Sequence, residues 1–282
     1  MIEKTPYHFE KNYISIPDKE EIVSFLKEEK GLDFSGYSEA SVRRRVSKIL
    51  SDLRLENVQE YITYLRNDSS AVKGFIERFT VNVTEMFRDP QFYKTMLIDV
   101  LPTLQKLEKI SVWSAGCSSG EELLSLAILF KENGLLERTT FLGSDLSPKV
   151  LEQAKTGSYK ERNLATYEKP YFDSGGKHKL GDYYSTYGTD GVFDKDLRAN
   201  FRFEKFNLVT DIQTQQFDLV VCRNVLIYFN SQLQNSVFKS LNISLKPGGF
   251  LAVGSKESVI FYEDKGSYIE VKPESKIYQK NQ

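Results

Sequence analysis

The sequence predicts an α/β fold: a mostly parallel sheet with helices on both faces, preceded by a small all-α N-terminal domain and carrying a small inserted β subdomain. Three observations carry this expectation. Helical periodicity fills roughly the first 85 residues. From residue 110 short apolar strands alternate with helical patterns. Between Tyr167 and Leu197 that alternation breaks down into a stretch rich in glycine and tyrosine. A chain of 282 residues accommodates about two domains, and the change of texture sets them at 1–85 and 86–282.

In the first domain Asp18 followed by Glu21 reads as a capping-box start. Ile22, Val23, Phe25 and Leu26 supply an apolar stripe, and Gly31 can end the helix. A second helix, from about Glu39 to Leu55, carries Val42, Val46, Ile49, Leu50 and Leu53 on one face. On the same wheel Arg44 and Lys48 fall opposite that face, with Arg43 and Arg45 flanking it. A third helix runs from Asn57 with Glu60 as its reciprocal cap, and a fourth from about Ser70 to Phe79. The strands expected beyond are Ile110–Ala115, Thr140–Ser144, Phe201–Phe206, Phe217–Cys222, Phe250–Gly254 and one near Lys276–Gln279. The segment 167–197 reads as an inserted loop or a small β subdomain.

With 40% hydrophobic and 27% charged residues the composition is ordinary for a globular protein. No run approaches the roughly 18 apolar residues of a spanning helix, and Met1 to Glu10 lacks the apolar segment of a secretion signal. A soluble, cytoplasmic protein is therefore expected. Cys117, Cys222, His8 and His178 show no metal-ligand spacing, so no metal site is expected. A formal charge of −1 gives no general reason to seek nucleic acid or an anionic membrane, and basic partner binding must be local.

The segment ISVWSAGCSSGEELLSLAILF places a strand, a glycine turn and a helix in succession. Gly116 and Gly120 let the backbone turn and approach a ligand, while the helix presents its unpaired N–H groups. A pyrophosphate at that terminus would be repelled by Glu121 and Glu122. A cationic nucleoside reverses the argument, and S-adenosylmethionine, with its sulfonium and ammonium and no phosphate, fits better. At the end of the next strand GSDLS sets Asp145 where a carboxylate can take ribose hydroxyls. Each glutamate alone could equally serve only to favour the helix start. FNLVTD places Asn207 and Leu208 past another strand, and VVCRNVLIYF places Arg223 and Asn224 at the end of the next. In an open α/β sheet such strand ends share one crevice.

TVNVTEMFRDP, VWSAGCSSGEE, SDLSPKVLEQAKTGSY, FNLV, CRNVLIYF and LKPGGFLAVGSKES, in this order, resemble the CheR-type chemotaxis receptor methyltransferases over nearly the whole chain. The resemblance implies a class I, Rossmann-like methyltransferase domain behind the helical one. It implies transfer of a methyl group from S-adenosylmethionine to glutamate side chains of a chemoreceptor, with S-adenosylhomocysteine as product. Asn82, Thr84 and Arg88 would then line the cofactor pocket, together with Glu121 or Glu122, Asp145, Asn207, Leu208, Arg223 and Asn224. Arg88 and Tyr228 would lie near the transferable methyl and position the acceptor. An ion pair of Arg88 with Asp89 or Glu85, and a plain core role for Tyr228, are the competing structural roles. In the helix SVRRRVSKIL, Arg43, Arg44, Arg45 and Lys48 would recognise the acidic surface around receptor methylation sites, or else form a solvated basic face.

Three departures place the chain in a divergent branch: Leu123 and Leu124 follow the paired glutamates where Pro-Tyr is common, Met86 and Phe87 replace paired phenylalanines, and GSKES lacks a histidine. The alternatives from other classes are a cofactor-sensing signalling module without catalysis, and a methyltransferase acting on RNA or a small molecule. Nucleic acid and membrane insertion are not expected, because the basic helix lacks interleaved aromatics and the chain is near neutral.

Overall fold

The computed structural model describes residues 13–68, 70–80, 82–259 and 262–282. His8 and the stretch Met1 to Glu10 lie outside the described residues. The chain divides between Phe79 and Thr80 into two units, so the polar stretch at 82–90 belongs wholly to the second.

The first unit comprises helices α1 (Ile16–Lys30), α2 (Glu39–Leu53), α3 (Val58–Asn67) and α4 (Ala71–Phe79). Helix α1 starts earlier than Asp18: Ser15 is the N-cap, its hydroxyl accepting from the Asp18 N–H at 3.2 Å while the Asp18 carboxylate accepts from the Ser15 N–H at 3.1 Å. Pro17 fits inside the first turn, where its missing N–H has no partner to lose. Gly31, at φ 67°, closes the helix as expected. Asn57 caps α3, but Glu60 reaches back to the N–H of Glu56.

Helix α2 buries Val42, Val46, Ile49 and Leu50 and, against expectation, Arg45 with them. The position is three residues beyond Val42 and four before Ile49, which puts it on the apolar face rather than beside it. Its guanidinium donates to the Phe79 carbonyl and lies 5.5 Å from the Phe79 ring centroid. Phe34, Tyr37, Phe75 and Phe79 pack edge-on and stacked around that point. Arg45 is thus a core residue of the helical unit. Arg43 is half-buried and bonds to the Ile14 carbonyl and Glu39, whereas Arg44 and Lys48 are exposed and Lys48 pairs with Asp52.

In the second unit α5 (Pro90–Thr95) runs through a π turn at Met96–Val100 into α6 (Leu101–Leu104). There follow β1 (Ile110–Ala115), α7 (Glu121–Glu132), β2 (Thr139–Asp145), α8 (Pro148–Thr156), β3 (Ser158–Lys160), α9 (Glu161–Leu164) and α10 (Glu168–Asp173). Then come β4 (Tyr184–Tyr187), β5 (Asp190–Phe193), β6 (Phe201–Lys205), β7 (Phe217–Cys222), α11 (Ser231–Ile243), β8 (Leu245–Val253), β9 (Tyr268–Lys272) and β10 (Ile277–Lys280). The main sheet has seven strands in the order β6-β2-β1-β7-β8-β10-β9. It is parallel from β6 to β8 and antiparallel at β10 and β9. Strand β7 is buried at every position and β1 at nearly every one, as strands covered on both faces must be. Trp113 within β1 is fully buried, its indole N–H satisfied by the Ser144 hydroxyl at 2.9 Å.

A second, antiparallel sheet of order β3-β5-β4 forms the insertion. It takes its first strand from Ser158–Lys160, upstream of the expected start at Tyr167. The insertion is tied to the end of α7, where the hydroxyls of Tyr171 and Tyr183 both donate to Oε1 of Glu132, the latter at 2.7 Å. Among the described residues no helix is long and apolar enough to cross a membrane.

Candidate active site

Strand order reverses between β1 and β7, which opens a crevice at their carboxyl ends. The turn leaving β1 folds back on β2: the N–H groups of Gly116 and Cys117 both donate to the Ser144 carbonyl, at 2.8 and 2.9 Å. Gly116 has φ 82°, and a Cβ there would lie 2.5 Å from Cγ2 of Val225, so only glycine lets the chain after β7 close over the turn. Gly120, at φ 93°, starts α7. From the insertion, the Tyr159 hydroxyl donates to the Ser119 carbonyl at 2.6 Å and braces the same turn.

Asp145 ends β2, and its carboxylate accepts from the N–H of Ser118 at 3.0 Å and of Ser147 at 2.9 Å. It makes no ion pair among the described residues, and desolvation raises its carboxyl above the ordinary aspartate value despite both bonds. Adjacent residues on a helix diverge by about 100°, and Glu121 and Glu122 do so. Glu121 is buried, accepts from the Ser119 hydroxyl at 2.8 Å and is pushed up by its burial. Glu122 accepts from the Ser114 hydroxyl at 2.9 Å and from Arg223 Nη1 at 3.2 Å.

The donor set bears on the ligand. The Ser118 N–H, which an anion at this turn would need, is taken by Asp145, and carboxylates crowd the start of α7. The residues present therefore fit a cationic nucleoside and misfit a pyrophosphate. A ligand whose hydroxyls bind ionised Asp145 must compete with the proton. Affinity for S-adenosylhomocysteine, followed by calorimetry as pH is lowered, is therefore expected to fall at a pH above the ordinary aspartate value, and Asp145→Asn should weaken binding and flatten that dependence.

Arg223, at the end of β7, has a side chain only 2% exposed. Its guanidinium bonds to Asp89 at 2.7 Å, to the Arg88 carbonyl at 3.2 Å and to Glu122, and it lies 4.3 Å from the Phe92 ring centroid. Asp89, one of the two partners considered for Arg88, is thus engaged by Arg223 instead. The Arg88 side chain is half-buried and makes no hydrogen bond or ion pair among the described residues. Asn224, at φ 62°, is held through its N–H by Glu257 at 2.8 Å; the same carboxylate accepts from Gly254 at 2.5 Å and Ile227 at 3.2 Å. Tyr228 closes the short helical turn that Ile227 enters, and is half-buried.

Asn207 and Leu208 follow β6, beside Asp145, since the Phe206 N–H donates to the Asp145 carbonyl at 3.0 Å. Asn207 turns its side chain onto the Val209 N–H, and both residues are half-buried. Asn82 and Thr84 are likewise half-buried.

A family model described as the SAM binding domain of CheR methyltransferase matches residues 82–275, and one described as its all-alpha domain matches 17–80. The chain belongs to the CheR methyltransferase family. A Pseudomonas putida protein named as a methyltransferase, Cher3, is 39% identical over 251 residues, covering 88% of this chain and 91% of that protein. The chemotaxis protein methyltransferase of Listeria monocytogenes is 32% identical over 257 residues, covering 89% and 95%. That of Borreliella burgdorferi is 30% identical over 244 residues, covering 81% and 83%. The all-α domain followed by a mostly parallel, Rossmann-like methyltransferase fold expected from the sequence is the fold found.

Several residues that organise this CheR site escape a sequence reading. Asp89, Ser118, Ser125, Tyr159 and Glu257 act through partners far along the chain, the Asp89–Arg223 pair being 134 residues apart. Only Glu257 carries a local signal, standing as an acid three residues after the glycine in GSKES, just past a strand.

Proposed function

We propose that this CheR family methyltransferase methylates glutamate side chains on the cytoplasmic domain of a chemoreceptor, releasing S-adenosylhomocysteine and leaving glutamate methyl esters. The observation that carries the reading is Asp145: a half-buried carboxylate, oriented by two backbone N–H groups, beside the switch point of the sheet. The relatives named as chemotaxis protein methyltransferases supply the substrate class.

Bound S-adenosylmethionine supplies an electrophilic methyl group on a sulfonium. A glutamate acceptor, with a pKa of about 4.3, is already ionised at neutral pH and needs no general base. The protein's task is then alignment and exclusion of water, which can contribute about 7–11 kcal/mol in favourable cases. Asp145 would hold the ribose, with Asn82, Thr84, Asn207, Leu208 and Asn224 lining the pocket and Glu121 or Glu122 meeting the cationic end. Arg88, with donors uncommitted among the described residues, would hold the incoming carboxylate beside Tyr228. Base-labile methyl incorporation into a receptor cytoplasmic fragment tests the reading; labelling that resists mild base would overturn it.

Of the basic residues on α2, Arg44 and Lys48 are exposed enough to meet an acidic protein surface, with Arg43 at their side. Arg44→Ala is expected to raise the KM for the receptor fragment about threefold to tenfold, with S-adenosylhomocysteine affinity unchanged, as loss of a peripheral charge does. Equal KM values in the two proteins would remove α2 from the docking surface.

A further inference from the structure

We infer that Ser125 and the Asp89–Arg223 pair are positioning residues, which fix the backbone on both sides of Arg88 and so set the direction of its guanidinium; the inference rests on the methyl-transfer reading. Arg88 stands between two residues in the left-handed region, Phe87 at φ 54° and Asp89 at φ 59°. Left-handed backbone is uncommon outside glycine, and for a bulky residue such as phenylalanine it is a true outlier. It persists only where the surroundings over-determine it.

Both sides are over-determined here, by separate means. The Phe87 N–H donates to the Ser125 hydroxyl at 3.0 Å. That hydroxyl is wholly buried and its own proton goes to the Glu121 carbonyl at 2.7 Å, which leaves its lone pairs to face Phe87. On the other side Arg223 grips the Arg88 carbonyl and the Asp89 carboxylate at once, and is itself fixed by Glu122 and the face of Phe92. The anchors stand on α7 and at the end of β7, the two elements that frame the crevice. Burial of Arg88 would not need this arrangement, because the side chain is only half-buried and makes no hydrogen bond or ion pair among the described residues. Presentation of a charged group at a fixed angle does need it. Arg88 would exchange no proton in the transfer, in which a carboxylate oxygen lone pair forms the new bond to the methyl carbon while the old S–C bonding pair stays on sulfur as the neutral thioether, so its direction is what matters.

Two measurements on the full chain test this. In protein labelled with 15N-arginine, the Nε resonance of Arg88, assigned by its loss in Arg88→Lys, is expected to show an ordered side chain. That signal should become motionally averaged in both Ser125→Ala and Asp89→Gly. Asp89→Gly is the sharper variant, since glycine accepts the left-handed backbone without strain and only the pairing is lost. In the methylation assay each variant is expected to lower kcat about tenfold, and neither should add a further loss in the Arg88→Lys background, as residues acting through one group are non-additive. An unchanged Arg88 signal in both variants overturns the inference whatever the activity, and so do fully additive losses. Should Asp89→Gly fold poorly, Asp89→Asn, which tolerates the same backbone, enters the same measurements. A wild-type chain with an ordered Arg88 that labels no receptor fragment counts against the acceptor assignment alone.

Discussion

Arg223→Met is expected to lower the stability of the methyltransferase unit by about 3–5 kcal/mol, the cost of stranding carboxylates whose buried partner is removed. Methionine keeps much of the volume against Phe92, so the loss isolates the charge. Glu122 carries most of it, with its side chain 15% exposed, while Asp89 at 37% regains water more easily. For a unit of this size each kcal/mol moves the melting temperature by about 2–4 °C, so scanning calorimetry should record a fall of about 10 °C. Adding Glu122→Gln should return part of it by removing the stranded charge. A loss below about 1 kcal/mol would show the group behaving as a solvent-screened surface pair.

The second large effect is expected at Glu257. Its carboxylate receives the N–H groups of Asn224, Ile227 and Gly254, and Gly254 is so close that a Cβ there would lie 2.7 Å from Oε2. Glu257→Ala leaves three backbone donors without their acceptor, at about 1–3 kcal/mol each where water cannot replace it. A total near 4 kcal/mol is expected, with S-adenosylhomocysteine affinity reduced about tenfold as the chain after β7 loosens, a loss of about 1.4 kcal/mol. Glu257→Gln should fall between, because its NH2 group must face at least one donor.

The pH dependence carries its own sign. Burial raises the Glu257 carboxyl in the folded protein, more than its backbone bonds lower it. The folded form therefore holds its proton to higher pH than the unfolded chain, and the stability this linkage adds is full below the unfolded pKa and lost as pH rises through the folded one. The stability advantage of wild type over Glu257→Gln should accordingly widen on acidification through that window. An advantage that narrows would mean the three N–H bonds outweigh burial.

Much of this architecture was legible because burial imposes periodicity. The observed β1 and β7 coincide to the residue with the expected Ile110–Ala115 and Phe217–Cys222, since central strands of a parallel sheet must be apolar throughout. Strand β9 is absent from the expected strands: at the sheet edge it needs no apolar alternation, and its Glu270 and Lys272 disguise it. The start of β8 was hidden in Lys246-Pro-Gly-Gly, which reads as a turn, and its register indeed shifts against β7 there. Arg45 departs from its expected flanking position because its partner, a carbonyl at the end of another helix, leaves no trace in local sequence. At the site the glycine turn, Asp145 and the paired glutamates announced themselves by spacing. Their orienting partners did not, since the bonds that Ser118 donates to Asp145 and Arg223 to Glu122 depend on which loops the fold brings together.

The anchoring of the insertion has a bearing on how such proteins diversify. Tyr159 fastens the small sheet to the turn that leads into α7, and Tyr171 and Tyr183 fasten it to Glu132 at the end of that helix. A graft of this segment onto a relative's framework would leave three phenols seeking mates that the recipient need not have. The sheet and the helix beneath it therefore form one cassette, and a transplant that carries both should be tolerated where either half alone is not.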